Sequence, residues 1–301
     1  MKLFSYTQDK NIFYIGVSLE EENYNLTEAL NIYQNSKGIS NKLSIQFLQM
    51  LIELGYCSGT IINNIFNSPW VKSKIKDLLI PSDFTYGVPV PRPSKIICLG
   101  RNYQAHVKEM DHSLPDEPIL FSKASSSLTA HNQEIIIPSW LEGRIDHEAE
   151  LALIIGKLGK NIPEDKAFDY LAGYTIINDV TARDMQKKDI DNSNPWFRSK
   201  SLDTFSPLGP FIIPVDEIDD PHNLKIKLKI NNRIKQNAST ADMIFKIPQI
   251  LAYISKYMTL QPGDIIATGT PEGVSEIKDG DNIEITISDL GVLKNTVVKE
   301  K

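Results

Sequence analysis

Arg144-Ile145-Asp146-His147-Glu148-Ala149-Glu150-Leu151-Ala152-Leu153-Ile154-Ile155-Gly156 sends acidic side chains straight into an apolar run. The apolar part reads as a buried β-strand, and side chains two apart in a strand share a face. Glu148 and Glu150 therefore project side by side, Asp146 can join them, and His147 and Ala149 face the other way. Burying one unpaired carboxylate costs roughly several kcal/mol. A compensating cation removes that cost, and an all-oxygen donor set favours Mg²⁺, Mn²⁺ or Ca²⁺ over zinc. The alternative is an edge strand whose acidic end is solvated. The stretch by itself leaves both open.

Outward from it, Tyr174 to Asp184 is a second landmark, a strand that ends on Asn178-Asp179 and runs into a polar turn. Asp179 either completes a three-carboxylate set with Glu148 and Glu150 or caps the start of a helix. Lys95 to Gly100 reads as a buried strand, and Arg101 to Met110 after it has helical spacing. His106 and Glu109, three apart, then share a helical face. A carboxylate beside an imidazole fixes its tautomer and suits it to general-base work, although a surface ion pair has the same spacing. Lys123 and Lys200 each follow an apolar stretch and can meet a substrate carboxylate or a developing enolate, or simply rim a strand. Thr268 to Gly273 is a strand end and turn able to offer backbone N–H groups and the Thr270 hydroxyl to an anion. It fits neither the P-loop nor the dinucleotide pattern.

Composition narrows the classes. The chain has 301 residues, of which 41% are hydrophobic and 23% charged, enough for a substantial core. A net charge of −6, with both signs well mixed, gives no basic footprint for nucleic acid or an anionic membrane. Cys57 and Cys98 lie far apart without metal-type spacing, which fits a reducing compartment. The first residues are interrupted by Gln8, Asp9, Lys10 and Asn11, unlike the apolar core of a signal peptide. No apolar run reaches membrane-spanning length. The expectation is a cytoplasmic protein.

Along the chain, residues 1–18 read as a β-hairpin around the polar turn Thr7 to Asn11. Helical patterns cover Thr27 to Tyr33, Leu43 to Leu54 with Gly55 as its stop, and parts of 60–79. Pro81, Pro89, Pro91 and Pro93 mark an extended connection. Strands are then expected at 119–123, 134–137, the acidic stretch, 174–178, 211–213, 225–230, 264–268 and 282–287, with helices at Glu164 to Ala172 and Ala241 to Tyr257. The result is an α+β, β-rich chain: a small N-terminal domain over 1–80, a Pro-rich connection over 81–94 and a catalytic domain over 95–301.

Taken together, GRNYQAHVKEM, PILFSKASSSL, DHEAELALIIGK, YTIINDVTARDMQ, WFRSKSLDTFSPLGP and GDIIATGTPEGV resemble, in order and spacing, the fumarylacetoacetate hydrolase family across residues 95 to 298. The likeness is greatest to its acylpyruvate hydrolases, oxaloacetate decarboxylases and 2-hydroxyhepta-2,4-diene-1,7-dioate isomerase-like members. The resemblance implies a mixed β-roll with flanking helices, a homodimer, and Mg²⁺ or Mn²⁺ on Glu148, Glu150 and Asp179, with Ca²⁺ as another occupant. It implies catalytic roles for His106 and Glu109 on a lid helix and for Lys123, and substrate contacts from Arg101, Gln186, Lys200 and Thr270. Asp146 has no counterpart among the family's ligands. Lys187 to Asn194 follows no pattern that names a substrate.

The implied reaction is hydrolysis of a carbon–carbon bond in a 2,4-dioxo acid, with the enolate of pyruvate leaving, accompanied by oxaloacetate decarboxylation. The rival readings are an isomerase or hydratase of unsaturated 2-oxo diacids, and a non-catalytic protein whose metal organises a ligand pocket.

Overall fold

The computed structural model describes residues 1–9, 12–38, 47–111 and 113–301. Its spine is a ten-stranded mixed sheet. From one edge the order is Glu22–Asn25, Phe13–Leu19, Lys2–Thr7, Phe211–Pro214, Leu171–Asn178, Ala149–Ile155, Ile265–Ala267, Ile96–Gly100 and Ile119–Lys123, with Thr85–Gly87 also paired to Lys2–Thr7. A five-stranded sheet runs in the order Arg233–Ser239, Lys225–Ile230, Asn282–Ile287, Gly291–Lys299 and Glu134–Ile137.

The alternation of the acidic strand explains the layering. Leu151, Leu153 and Ile155 point into a core shared with the second sheet and with Ile247, Ile250, Leu251 and Ile254 of the helix Ile247–Tyr257. Ala152 and Ile154 point into a core shared with Leu3, Ile15, Leu26, Leu30, Leu51 and Ile62. Strand period therefore feeds both faces of the central sheet, as expected where both faces are covered.

The leading hairpin forms as expected, and Lys2–Thr7 also pairs antiparallel with Phe211–Pro214. The leading segment thus extends the same sheet that carries the acidic strand. The Pro-rich stretch is extended and contributes Thr85–Gly87. The helix expected at Thr27 to Tyr33 spans Leu26–Ser36, capped by the Asn25 side chain. Of the helix expected at Leu43 to Leu54, residues 43–46 lie outside the described residues. Its described part is Leu48–Glu53, and Gly55 follows at φ +74°.

Two helices differ from expectation. Glu164–Tyr170 is a 3-10 segment rather than an α-helix through Ala172. Leu171 and Ala172 open the strand Leu171–Asn178 instead, Leu171 pairing with Ile155, so sheet pairing overrides their helical spacing. The helix expected from Ala241 begins at Ile247, where Pro248 fits the first turn and Gln249 accepts from the Lys246 N–H. Thr240–Asp242 is a separate 3-10 turn capped by Ser239. Among the strands that went unanticipated are two of the second sheet, Arg233–Ser239 and Gly291–Lys299.

Gly173 is where the sheet tolerates no side chain. A Cβ there would stand 2.2 Å from the carbonyl oxygen of Ile213 on the neighbouring strand, a backbone atom that cannot rotate away. Gly173→Ala is expected to cost about 2–3 kcal/mol, read as a lowered urea midpoint.

Candidate active site

Glu148 and Glu150 sit where the chain enters the strand Ala149–Ile155, and Asp179 follows the end of the adjacent strand Leu171–Asn178. Antiparallel pairing of Ala149 with Asn178 brings those ends together. The Asn178 side chain locks the corner by accepting from the Glu148 N–H at 3.0 Å. One carboxylate oxygen from each of Glu148, Glu150 and Asp179 then lies within 4.8 Å of the others, and all three residues are buried.

Two lysines and an arginine enter the cluster. Lys123 Nζ donates to Asp179 Oδ1 at 2.6 Å. Lys200 Nζ bridges Glu148 Oε2 at 2.8 Å and Asp179 Oδ2 at 2.6 Å. Arg183 reaches Glu148 Oε1 at 2.5 Å and Asp146 Oδ2 at 2.8 Å. Asp146 is thus neither solvated nor part of the triad. It is buried, and it holds Arg183 against Glu148.

Glu150 differs from its neighbours. Its one partner among the described residues is the Gly269 N–H, at 2.7 Å from Oε2. Burial, then the charges of Asp179 and Glu148, push its carboxyl well above the usual range. Burial pushes Glu148 up as well, but the Lys200 ammonium and Arg183 guanidinium outweigh it and hold that carboxyl well below the usual range. The residues therefore fit a hard divalent cation, because the donors are all oxygen and one buried carboxylate has no direct ion-pair partner among the described residues. The turn that donates to Glu150 requires glycine. Gly269 has φ +95°, and a Cβ there would lie 2.8 Å from Asn102 Cβ.

Above the triad lies a cavity of about 80 Å³. Arg101, His106, Gln186, Lys200 and Thr270 line it together with Glu148 and Glu150. His106 stands on the short helix Gln104–Glu109, its Nδ1 3.3 Å from Glu109 Oε2. Both Glu109 carboxylate oxygens accept from the Gly273 N–H, at 3.2 Å each, so the helix is latched across the turn that also presents Gly269. Arg183 Nη1 donates to Gln186 Oε1 at 2.7 Å, one helical turn away. Arg101 has φ +59° and no carboxylate partner among the described residues.

The structure thus gathers all ten residues singled out in the sequence, with Lys123 and Asp179 beneath the cavity and Glu109 at its rim. One detail differs from expectation. The Thr270 hydroxyl donates to the Ala149 carbonyl at 3.0 Å, so its single proton is already committed.

Sequence reasoning overlooked Arg183 and the network around His147. Gln236 Nε2 donates to Thr270 Oγ1 and to the Pro271 carbonyl, both at 2.8 Å. That turns Gln236 Oε1 toward the Ala149 N–H at 3.0 Å and His147 Nδ1 at 3.2 Å. His147 therefore carries its proton on Nδ1, and Nε2 meets the Ser275 hydroxyl at 2.9 Å. Burial pushes this imidazole down to about 4, so it stays neutral near pH 7. Its work is to tie the acidic stretch to the 269–275 turn. The signal for Arg183 was its place within the second acidic landmark, in the polar turn that follows Asp179.

A buried all-oxygen triad at adjacent strand ends thus lies beneath a helix-borne His–Glu pair and beside an arginine with no carboxylate partner among the described residues. Residues 95–298 match the Fumarylacetoacetate (FAA) hydrolase C-terminal family. The chain belongs to the fumarylacetoacetate hydrolase family. It is 42% identical over 224 residues to the mitochondrial oxaloacetate tautomerase FAHD2A of Homo sapiens, covering 72% of this chain and 70% of that one. Among solved structures it resembles the fumarylacetoacetate hydrolase EaFAH of Exiguobacterium antarcticum, with TM-score 0.82 and 33% identity over the whole of both chains. It also resembles maleylpyruvate hydrolase of Sphingobium sp. SYK-6, described in complex with manganese(II) and pyruvate, with TM-score 0.79 and 30% identity over the whole of both chains. These likenesses bear out the expected β-rich family fold. Among the described residues no helix is long and apolar enough to cross a membrane.

Proposed function

We propose that this protein is a divalent-metal-dependent enzyme that forms the enolate of a small 2-oxo acid, and that its reaction is keto–enol interconversion of a short 2-oxo diacid. The observation that carries this is the small cavity of about 80 Å³ that His106 lines together with Glu148 and Glu150. It is small beside the roughly 300–1,000 Å³ of pockets for drug-sized ligands.

A cation held by Glu148, Glu150 and Asp179, Mg²⁺ or Mn²⁺ by the donor chemistry, would supply Lewis acidity at the 2-oxo oxygen. The protein's own groups do the rest. Glu109 engages His106 Nδ1, which leaves Nε2 to take a proton from C3 as the C2–C3 double bond forms. Lys200, which lines the cavity, places positive charge near the oxygen that becomes anionic, and Lys123 holds Asp179 from beneath. Arg101 offers its guanidinium to the distal carboxylate of the diacid. The contact between Glu109 and Gly273 holds the helix that carries His106 against the 269–275 turn.

Carbon–carbon cleavage of a 2,4-dioxo acid, the reaction the motifs imply, uses the same groups. His106 would then deprotonate an attacking water, and the pyruvate enolate would leave. The likeness to maleylpyruvate hydrolase favours it. A panel assay with Mg²⁺ or Mn²⁺ against oxaloacetate, acetylpyruvate, fumarylpyruvate and an unsaturated 2-oxo diacid, followed by enol absorbance, separates the readings. Rapid enol loss from oxaloacetate with weak cleavage of acetylpyruvate is expected. The reverse order would favour the hydrolase, and no turnover of any member would leave a ligand-binding protein.

A further inference from the structure

The cavity over the triad has a removable wall. Trp196 and Phe121 line it, and the same two rings line a separate surface hollow of about 390 Å³ formed with Ile119, Leu120, Pro195 and Phe197. Phe121 and Trp196 pack with ring centroids 5.6 Å apart at 55°. Trp196 packs against Gly100, where an added Cβ would stand 3.1 Å from the indole. Its carbonyl accepts from Ser199 at 2.9 Å at the start of the single helical turn Phe197–Lys200, which ends on the lysine gripping Glu148 and Asp179. Phe121 is held from the other side, with Lys200 Nζ 4.9 Å from its ring centroid.

We propose that Trp196 is the specificity-determining residue that limits substrate length: it confines the site to short 2-oxo acids and shuts off the apolar hollow beyond, which would otherwise receive an alkyl or aryl tail. The inference rests on the reading of the site as one for 2-oxo acids. The polar floor around Glu150, Lys200 and Thr270 takes the 2-oxo carboxylate end, so a longer substrate has to extend toward the apolar side. There Met110, Ile190 and Trp196 line the cavity, and of its lining residues Trp196 and Phe121 have the hollow behind them. Phe121 belongs to a central-sheet strand, whereas Trp196 lies outside both sheets, so the tryptophan is the part of the wall that can be cut away without disturbing the sheet.

The test is calorimetric binding of straight-chain 2-oxo acids of four and eight carbons to the Mn²⁺-loaded protein, wild type against Trp196→Ala. The expected result is that the wild type prefers the four-carbon acid and that the affinity ratio shifts toward the eight-carbon acid by roughly tenfold or more in the variant, as burial of added methylenes in the hollow predicts. Adding Leu120→Trp to the variant refills the hollow and should reverse the shift. Should Trp196→Ala fail to fold, as judged by circular dichroism, Trp196→Leu makes the same opening in part. An unchanged ratio, or a wild type that already prefers the longer acid, overturns the wall. A wild type that binds neither acid overturns the 2-oxo acid reading itself and the wall with it. Binding of the short acid without turnover overturns only the catalytic reading.

Discussion

Glu150→Gln is expected to weaken divalent-cation binding sharply while making the metal-free protein more stable, whereas Asp179→Ala weakens binding as much and destabilises the fold. Both remove one ligand of the proposed triad, so both should weaken Mg²⁺ or Mn²⁺ by roughly a hundredfold or more in a calorimetric titration. Their effects on folding diverge because the two carboxylates have different partners. Asp179 neutralises Lys123 and Lys200, both buried. Its removal strands the Lys123 ammonium away from water and leaves Lys200 with Glu148 alone, which costs about 3–5 kcal/mol. Glu150 has only the Gly269 N–H, and a glutamine carbonyl can still accept that bond.

The pH dependence carries the same signature. Glu150 holds its proton more tightly folded than unfolded, so its contribution favours folding at low pH and is lost as pH rises above the ordinary carboxyl value of 4.5. Glu148 has the opposite sign. Its contribution is present above that value and is lost as pH falls through its depressed folded-state titration. Urea midpoints of Glu150→Gln, measured without metal from pH 4 upward, should therefore lack the Glu150 decline that the wild type carries.

His106→Ala should leave cation binding in place and lower kcat for enolisation of oxaloacetate by roughly 10²–10⁴-fold, the usual worth of a positioned acid–base group. Cleavage of acetylpyruvate should fall as far, since it needs the same nitrogen to activate water. Decarboxylation of oxaloacetate should suffer less, because loss of CO₂ yields the enolate without removal of a proton from carbon. Stopped-flow measurement of enol absorbance beside CO₂ release reads both. Equal losses in the two reactions would remove His106 as the proton-transfer group and leave it a positioning residue.

Much of this site could be read from local pattern, and the exceptions have physical causes. Glu148 and Glu150 stood out because two acids precede five apolar residues in strand period, and the sheet register then brings Asp179 to the same corner. The charges that balance them could not be seen that way. Lys123 is 56 positions from Asp179, and Arg183 is 35 from Glu148, so their pairing exists only after the strands assemble. Asp146 shares strand parity with the two glutamates, yet its contacts with Arg144 and Arg183 give it a supporting place rather than a ligand position.

Two overlooked strands of the second sheet lack apolar alternation. In Arg233–Ser239 only Gln236 is fully buried, so this edge strand reads as polar loop. Its turn signal was Asn231-Asn232, both at positive φ, the conformation of a two-residue hairpin turn. In Gly291–Lys299 the inward positions are Leu293, Asn295 and Val297, and Asn295 interrupts the pattern because its amide donates to the Ala130 and Gln133 carbonyls.

The central claim is that Glu148, Glu150 and Asp179 hold a cation on which enolate chemistry depends. Its most direct test titrates Mg²⁺ into chelator-treated protein while following conversion of oxaloacetate enol to keto form, with Glu150→Gln alongside. Activity that rises from near zero to saturation in the wild type and stays absent in the variant is the predicted result. Full turnover by the chelator-treated wild type, or a Glu150→Gln variant that saturates at the same Mg²⁺ concentration, would contradict it.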